Sequence, residues 1–365
     1  MLSRSDPKPD ESPEEPLTYR AAGVDIDAGE ELVRRIKGHL ASTFTPSVLD
    51  RYGGFAGFYR FGIDADVFHR TRRRPVLLAA ADGVGTKLKI AFRTGVHDTV
   101  GVDMVAMCVN DLLVYGARPL FVLDYLACST LETGVAERVI SGVAEGCRQA
   151  GCALLGGETA ELPGFYRRGE YDLAGFAVGV VEEDEILDGR WMEPGDAIVG
   201  LASSGLHSNG YSLARKVFLS RARWSLKRYI LQFGRTLGEE LLEPTRIYVK
   251  PVLALLARYV QHAIRAMAHV TGGGIGGNLA RVMPRGLGAV IRKDSWEVPP
   301  VFRQIARIGR VPEDEMYRVF NMGVGFLLVI GRRHLNPVVR HFRRHRVEAF
   351  EIGHVEPSDV PVRLV

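Results

Sequence analysis

The stretch VGVDMVAMCVNDLLVYGA, residues 100–117, is apolar except at Asp103, Asn110 and Asp111, and this pattern predicts a buried helix. At 100° per residue, Asp103 and Asn110 lie about 20° apart around the helix, and Asp111 lies about 80° from Asp103. A carboxylate buried without a partner is too costly to be incidental. We therefore expect the three polar side chains to converge on one point and to hold a ligand there.

Length and composition indicate a two-domain protein that works in the cytoplasm. The chain has 365 residues, 46% of them hydrophobic. This length exceeds the usual limit for a single hydrophobic core. No apolar run approaches the ~18 residues of a membrane span, and the first residues lack the apolar segment of a signal peptide. We expect no membrane partner. The four cysteines show neither CxxC nor zinc-ligand spacing, which favours reduced thiols.

The chain has a net charge of +4 and contains an arginine-rich segment, RRHLNPVVRHFRRHR, at residues 332–346. Its apolar residues recur at helical spacing, so the arginines are predicted to form the solvated face of a packed helix. No aromatic platform or zinc finger accompanies them. We therefore expect no nucleic-acid partner.

Alternating strand and helix patterns predict an α/β fold. Residues 1–16 are rich in Pro, Glu, Asp and Ser, which is typical of a disordered tail. A charged break at 181–196 separates an N-terminal domain, 17–181, from a C-terminal domain, 190–365. In the first domain the predicted helices and strands lie near residues 27–41, 75–81, 98–115, 119–127, 132–150, 152–156 and 171–181. The strands predicted in the second lie near 196–202, 287–292, 323–330 and 347–355.

The run LLAAADGVGTKLKIA, residues 77–91, places Asp82 directly after an apolar strand. The following Gly83, Gly85 and Thr86 offer backbone N–H groups to an anion, although the spacing is not that of a Walker A loop. An ordinary capped turn is the alternative. With the acids of the apolar helix, Asp82 completes an all-oxygen set suited to Mg²⁺. The predicted metal ligands are Asp82, Asp103 and Asp111, with Asn110 beside the nucleotide.

A further glycine-rich acidic run, LLGGETAELPGFY, spans residues 154–166 and also follows a strand. A tight turn with a helix cap would explain part of it. A second acidic loop at a strand end exceeds what turn chemistry requires, so we predict a role in nucleotide binding. The residues concerned are Gly156, Gly157, Glu158 and Thr159.

Two loops of the second domain carry glycines and small polar groups without acids, which suits a phosphate monoester. A dinucleotide site is the competing interpretation, but the glycine spacing and the downstream acid are missing. The predicted substrate ligands in GLASSGLHSNGYSLARK, 200–216, are Ser203, Ser204, Gly205, His207, Ser208 and Asn209. Those in HVTGGGIGGN, 269–278, are Gly272 and Gly273.

Together, these motifs resemble the phosphoribosylformylglycinamidine cyclo-ligase family, also called aminoimidazole ribonucleotide synthetases. The resemblance extends over about residues 18–356 and includes AGVDIDAGEELVRRIK, DGVGTK, GGETAELPGFY, SSGLHSNGYSLARK and EMYRVFNMGVGF. It implies two α/β domains and a homodimer in which the N-terminal domains form a β-barrel. It also implies ATP and Mg²⁺ as cofactors and formylglycinamidine ribonucleotide as substrate, in purine biosynthesis.

The resemblance also assigns roles to residues. By pattern alone Lys37, at the edge of an apolar helical stripe, is a surface lysine. Its match to the family implies contact with the nucleotide. Asp82 and Asp111 match the metal–nucleotide acids, and the loop around His207 matches a substrate-phosphate site. Together with Lys37, these three residues are our catalytic candidates. The alternatives are another ATP-using enzyme of the superfamily, such as a thiamine-phosphate kinase, or a silent scaffold of the same fold.

Overall fold

The structure is a computed structural model that describes residues 26–46, 48, 75–258 and 263–365. The tail predicted at residues 1–16 lies outside these ranges. The first domain is a four-stranded sheet with helices packed on it. Its helices are α1 (Ile26–Ala41), α2 (Leu88–Thr94), α3 (Thr99–Val114) and α4 (Thr133–Ala150). Its strands are β1 (Pro75–Gly83), β2 (Arg118–Cys128), β3 (Ala153–Glu161) and β4 (Tyr171–Glu182).

The strand order in this sheet is β1-β4-β2-β3. Strands β2 and β3 are parallel and are connected through α4, whereas the other neighbours are antiparallel. Helix α3 is buried around nearly its whole circumference because α4 covers it on the side away from the sheet. Glycine permits this close packing, since a Cβ on Gly142 would lie 1.9 Å from the carbonyl oxygen of Asp98.

The opposite face of the same sheet carries exposed apolar side chains. Leu77, Tyr125 and Phe176 lie on the neighbouring strands β1, β2 and β4 and are 59%, 42% and 43% exposed. An apolar sheet face of this kind is typical of an interface.

The second domain contains a six-stranded sheet whose order is β12-β9-β11-β5-β10-β8. The pairs are antiparallel except for β12 and β9. Its strands are β5 (Ala197–Ala202), β8 (Ile264–His269), β9 (Leu287–Ile291), β10 (Val324–Ile330), β11 (Ala349–Pro357) and β12 (Val362–Leu364), with a separate hairpin of β6 (Tyr229–Ile230) and β7 (Arg235–Thr236). Its helices are α5 (Tyr211–Arg215), α6 (Leu237–Leu242), α7 (Val249–Arg258), α8 (Gly274–Ala280), α9 (Pro300–Gly309), α10 (Glu313–Val319) and α11 (Leu335–Arg344).

The predicted α/β fold is confirmed, with one difference in the first domain. Strand β3 continues to Glu161, so the run GGETAE is strand and not loop. Helix α11 buries Val338 and Phe342 and exposes its arginines, as the pattern predicted. All four cysteines are free. Within the described ranges, no helix has both the length and the apolarity needed to span a membrane.

Candidate active site

The acidic pair of the first domain lies where β1 ends beside α3. Asp82 is the last residue but one of β1, and its Oδ1 accepts a hydrogen bond of 2.7 Å from the Gly83 N–H. Burial raises the pKa of Asp82, and the neighbouring charge of Asp111 raises it further. The structure therefore brings together two of the three carboxylates that the sequence assigned to metal binding.

Asp111 also contacts the second domain. One of its carboxylate oxygens lies 2.8 Å from Nδ1 of His269, the last residue of β8. The Asp111 side chain is 47% exposed, whereas that of His269 is 1% exposed. His269 was not among the predicted site residues, although its place between a strand and the TGGG loop could have indicated it.

The prediction for Asp103 needs correction, because this carboxylate is paired with a buried lysine. It is completely buried and lies 2.7 Å from the ammonium of Lys87. Its Oδ1 also accepts hydrogen bonds from the backbone N–H and the hydroxyl of Thr245, at 2.7 and 2.6 Å. A carboxylate with these partners holds the second domain and is not available to a metal ion.

Asn110 is likewise committed to the second domain and not to a nucleotide. Its Nδ2 donates to the carbonyl oxygen of Arg246 at 2.9 Å, and its Oδ1 accepts from the Tyr248 N–H at 3.0 Å. Both ends of the amide are therefore used on the backbone of one segment. The three polar groups of α3 share a face, but they do not converge on one point. Asp103, Asn110 and Asp111 each bind different residues of the second domain.

A divalent cation would find two carboxylates here and not a complete protein cage. Among the described residues, no three His, Cys, Asp or Glu side chains come together as a metal site. Mg²⁺ is often held by one or two carboxylates together with phosphate oxygens and water. Asp82 and Asp111 fit that pattern, since Asp82 is partly buried and a cation would favour its charged form.

The turn after β1 touches the second domain. Gly85 adopts a φ of +67°, which favours glycine, and opens a short 3-10 turn, Gly85–Lys87. The Thr86 hydroxyl lies 3.2 Å from that of Ser212, and the Thr86 carbonyl accepts from Arg215. The predicted nucleotide-binding turn therefore lies beside the start of α5.

The other predicted nucleotide ligands lie outside this cluster. Gly156, Gly157, Glu158 and Thr159 form part of β3, and a Cβ on Gly157 would lie 2.3 Å from Oδ1 of Asp124. Burial raises the pKa of Asp124 to about 7, so the glycine accommodates a buried carboxyl. Lys37 is exposed on α1, and the chain after α1 binds α4 and β3.

The predicted substrate loops of the second domain meet one another. A Cβ on Gly272 would lie 3.5 Å from Oδ1 of Asn209, so the TGGG loop lies against the loop at 203–209. Nδ2 of Asn209 is buried and has no partner among the described residues. In addition, Asn321 donates to the Gly205 carbonyl at 2.9 Å and lies 3.1 Å from the Ser203 hydroxyl. These loops form a single polar wall.

Two serine hydroxyls of this wall contact the segment that α3 holds. Ser204 Oγ donates to the carbonyl oxygen of Pro244 at 2.5 Å, and Ser208 Oγ lies 3.1 Å from Oγ1 of Thr245. Segment 243–248 therefore lies between the polar face of α3 and the loop at 203–209. This segment of the second domain therefore contacts both α3 and the loop at 203–209.

His207 is completely buried and is held neutral. Its Nε2 accepts a hydrogen bond of 3.2 Å from the Ser204 N–H, which places the proton on Nδ1. Nδ1 has no partner in the described ranges. Burial lowers the pKa of His207 well below its usual range, and nearby His269, Lys87 and Arg246 lower it further. His207 also adopts a φ of +62°, an unusual backbone conformation for a residue other than glycine.

This arrangement defines a two-domain α/β protein with an acidic pair in one domain and a polar wall of glycine, serine and asparagine in the other. Two family models match the sequence of the chain: "AIR synthase related protein, N-terminal domain" over residues 62–181 and "AIR synthase related protein, C-terminal domain" over 193–364. The chain therefore belongs to the family of AIR synthase related proteins.

Curated relatives agree over nearly the whole chain. The phosphoribosylformylglycinamidine cyclo-ligase of Myxococcus xanthus is 53% identical over 93% of this chain and 96% of the relative. The protein of that name from Caldanaerobacter subterraneus is 51% identical over 95% of this chain and 100% of the relative.

Two solved structures share the fold. Thiamine-monophosphate kinase from Stenotrophomonas maltophilia has a TM-score of 0.65 at 19% identity and covers 91% of this chain and 95% of its own. Hydrogenase maturation protein HypE in complex with ATP has a TM-score of 0.65 at 17% identity, with coverages of 92% and 91%. At such low identities the likeness shows the fold alone.

Proposed function

We propose that this chain is a phosphoribosylformylglycinamidine cyclo-ligase that uses ATP to convert formylglycinamidine ribonucleotide into aminoimidazole ribonucleotide, ADP and phosphate. The observation that carries the proposal is the 53% identity over 93% of the chain with a protein of that name. The two chemically different sites support it, because the reaction must bind a nucleoside triphosphate and a phosphate monoester together.

The chemistry explains the need for ATP. An amide oxygen is a poor leaving group, so the γ-phosphoryl group is transferred to the formyl oxygen and ADP is released. The ribosyl-bearing nitrogen then attacks the same carbon, phosphate leaves, and the nitrogen loses a proton. Both steps depend on holding reacting atoms in a near-attack geometry, which is what two facing domains supply.

The acidic pair is the proposed site for the triphosphate. Asp82 and Asp111 would hold Mg²⁺, which when bound neutralises charge on the transferred phosphoryl group. The N–H groups of Gly85 and Thr86 follow shortly after Asp82 and would bind phosphate oxygens, whereas the Gly83 N–H already donates to Asp82. For Lys37, contact with the nucleotide rests on its match to the family motif.

The polar wall of the second domain is the proposed site for the ribonucleotide phosphate. It offers Nδ2 of Asn209 and the Ser208 N–H, neither of which has a partner among the described residues. The acids beside Gly205, Glu240 and Glu243, are paired with Arg235. The neutral His207 contributes by holding the Ser204 N–H and hence the shape of the loop. This favours a structural role for its imidazole over proton transfer.

We further propose that two copies of the chain associate through the open face of the first sheet. Leu77, Tyr125 and Phe176 would be covered in such a homodimer, in line with the barrel that the family resemblance implies. A protein with this chemistry is expected to work in the cytoplasm.

The test is a direct assay of the purified chain. Formylglycinamidine ribonucleotide, ATP and Mg²⁺ are supplied, and aminoimidazole ribonucleotide is measured by diazo coupling. We expect product that depends on both ATP and Mg²⁺. Phosphorylation of thiamine phosphate, without the aminoimidazole product, would instead support a kinase of the same fold.

A further inference from the structure

Lys87 is a fully buried lysine that none of the steps above uses. It closes the 3-10 turn after β1, and its side chain has an exposed fraction of 0%. The ammonium donates to Asp103 at 2.8 Å, to the carbonyl oxygen of His207 at 3.1 Å and to that of Glu243 at 2.6 Å. An ammonium has three donors, and here each has a partner.

The three partners of Lys87 belong to three separate parts of the site. Asp103 belongs to α3, His207 to the loop at 203–209, and Glu243 to segment 243–248. Asp103 in turn binds Thr245 through its Oδ1, so the same segment is held twice. Lys87 and Asp103 together form a buried clamp between the two domains.

The clamp acts on an atom that matters for phosphate binding. In a trans peptide the carbonyl and the N–H point in opposite directions. Since Lys87 holds the His207 carbonyl, it also sets the direction of the Ser208 N–H, which has no acceptor within the described ranges. The φ of +62° at His207 is unfavourable by itself, so an external bond is needed to keep the peptide in this orientation.

We propose that Lys87, held by Asp103, is a positioning residue for the ribonucleotide: it fixes the His207–Ser208 peptide so that the loop at 203–209 is preformed for the substrate phosphate. This inference rests on the proposed function. It assigns no contact between Lys87 and the substrate.

The test uses two variants of the full chain. Lys87→Met keeps the length of the side chain and removes the ammonium. The double variant Lys87→Met with Asp103→Asn also removes the buried charge that the first would leave unpaired. For a folded variant we expect the KM for the ribonucleotide to rise about 10-fold or more while the KM for ATP stays near the wild-type value.

Lys89→Met is the matched control. Lys89 lies two residues further along, and its exposed ammonium pairs with Glu170 at 2.7 Å, away from the loop. It should keep both KM values. A folded double variant with an unchanged ribonucleotide KM, or with both KM values raised equally, would overturn the inference. So would loss of folding in the double variant, since the clamp would then serve folding and not the loop. Inactivity of the wild type and the control would instead refute the proposed function.

Discussion

Nδ1 of His269, at the end of β8, lies 2.8 Å from a carboxylate oxygen of Asp111 on α3. A buried side chain of the second domain thus orients an acid whose other oxygen is available to a cation. A partner of this kind fixes a metal-binding carboxylate in position. The acidic site and the relative position of the domains are therefore linked.

Replacing Asp111 by Asn should abolish most activity without unfolding the protein. The amide keeps the shape and a hydrogen-bond partner for His269 but loses the charge that would hold Mg²⁺. We expect kcat to fall by about 100-fold or more. Thermal unfolding and steady-state kinetics at several Mg²⁺ concentrations measure the two effects. Asp98→Asn, an exposed acid just before α3, is the control and should behave as wild type.

The two proposed phosphate sites should respond to different substitutions. Changing Ser204 and Ser208 together to Ala removes two hydroxyls of the loop at 203–209, which hold this loop against Pro244 and Thr245. The KM for the ribonucleotide should rise about 10-fold, and that for ATP should stay nearly unchanged.

Lys37→Ala should give the reverse pattern, with weaker ATP binding and an intact ribonucleotide KM. Kinetics with each substrate varied in turn compare the two variants. Were the serine pair to weaken ATP and spare the ribonucleotide, the allocation of the two sites would be wrong.

Much of the fold was predictable because the signals are local. Apolar runs and their spacing located α3, β1 and β2 to within a few residues. The extension of β3 to Glu161 was not predictable, since GGETAE lacks apolar alternation. Those residues pair with β2 through backbone hydrogen bonds, which no side-chain pattern reports.

The site was only partly predictable. At 100° per residue, Asp103 and Asp111 share one face of α3, as predicted. A rise of 1.5 Å per residue, however, separates them by about 12 Å along the helix axis. They therefore meet different partners, Lys87 and His269. Contacts between residues more than 100 positions apart, such as Asp103 with Thr245, leave no trace in local sequence.

A single charge on the open sheet face should prevent association. We expect the wild type to be a homodimer at micromolar concentration and Leu77→Glu to be a folded monomer, because the glutamate would have to be buried uncompensated in the interface. Multi-angle light scattering gives the mass. The control is Leu231→Glu, at a residue that is 83% exposed outside this face, which should leave the dimer intact. A monomeric wild type would refute the association.

Stability at acid pH should report on the buried His207. Its pKa is depressed in the folded state, so the unfolded chain binds the proton more readily once the pH falls below about 6.5. The free energy of unfolding should therefore decrease as the pH falls through that value. His207→Asn tolerates the left-handed backbone and cannot titrate, so its stability should fall less between pH 7 and pH 5. Denaturant unfolding of both proteins at each pH makes the comparison.

The fate of the formyl oxygen tests directly whether ATP activates it. Formylglycinamidine ribonucleotide labelled with ¹⁸O in the formyl group is turned over with ATP and Mg²⁺, and the released inorganic phosphate is analysed by mass spectrometry. If ATP activates that oxygen, the label appears in the phosphate in step with aminoimidazole formation. Unlabelled phosphate, or phosphate released without the aminoimidazole product, would show that the chain does not catalyse this reaction.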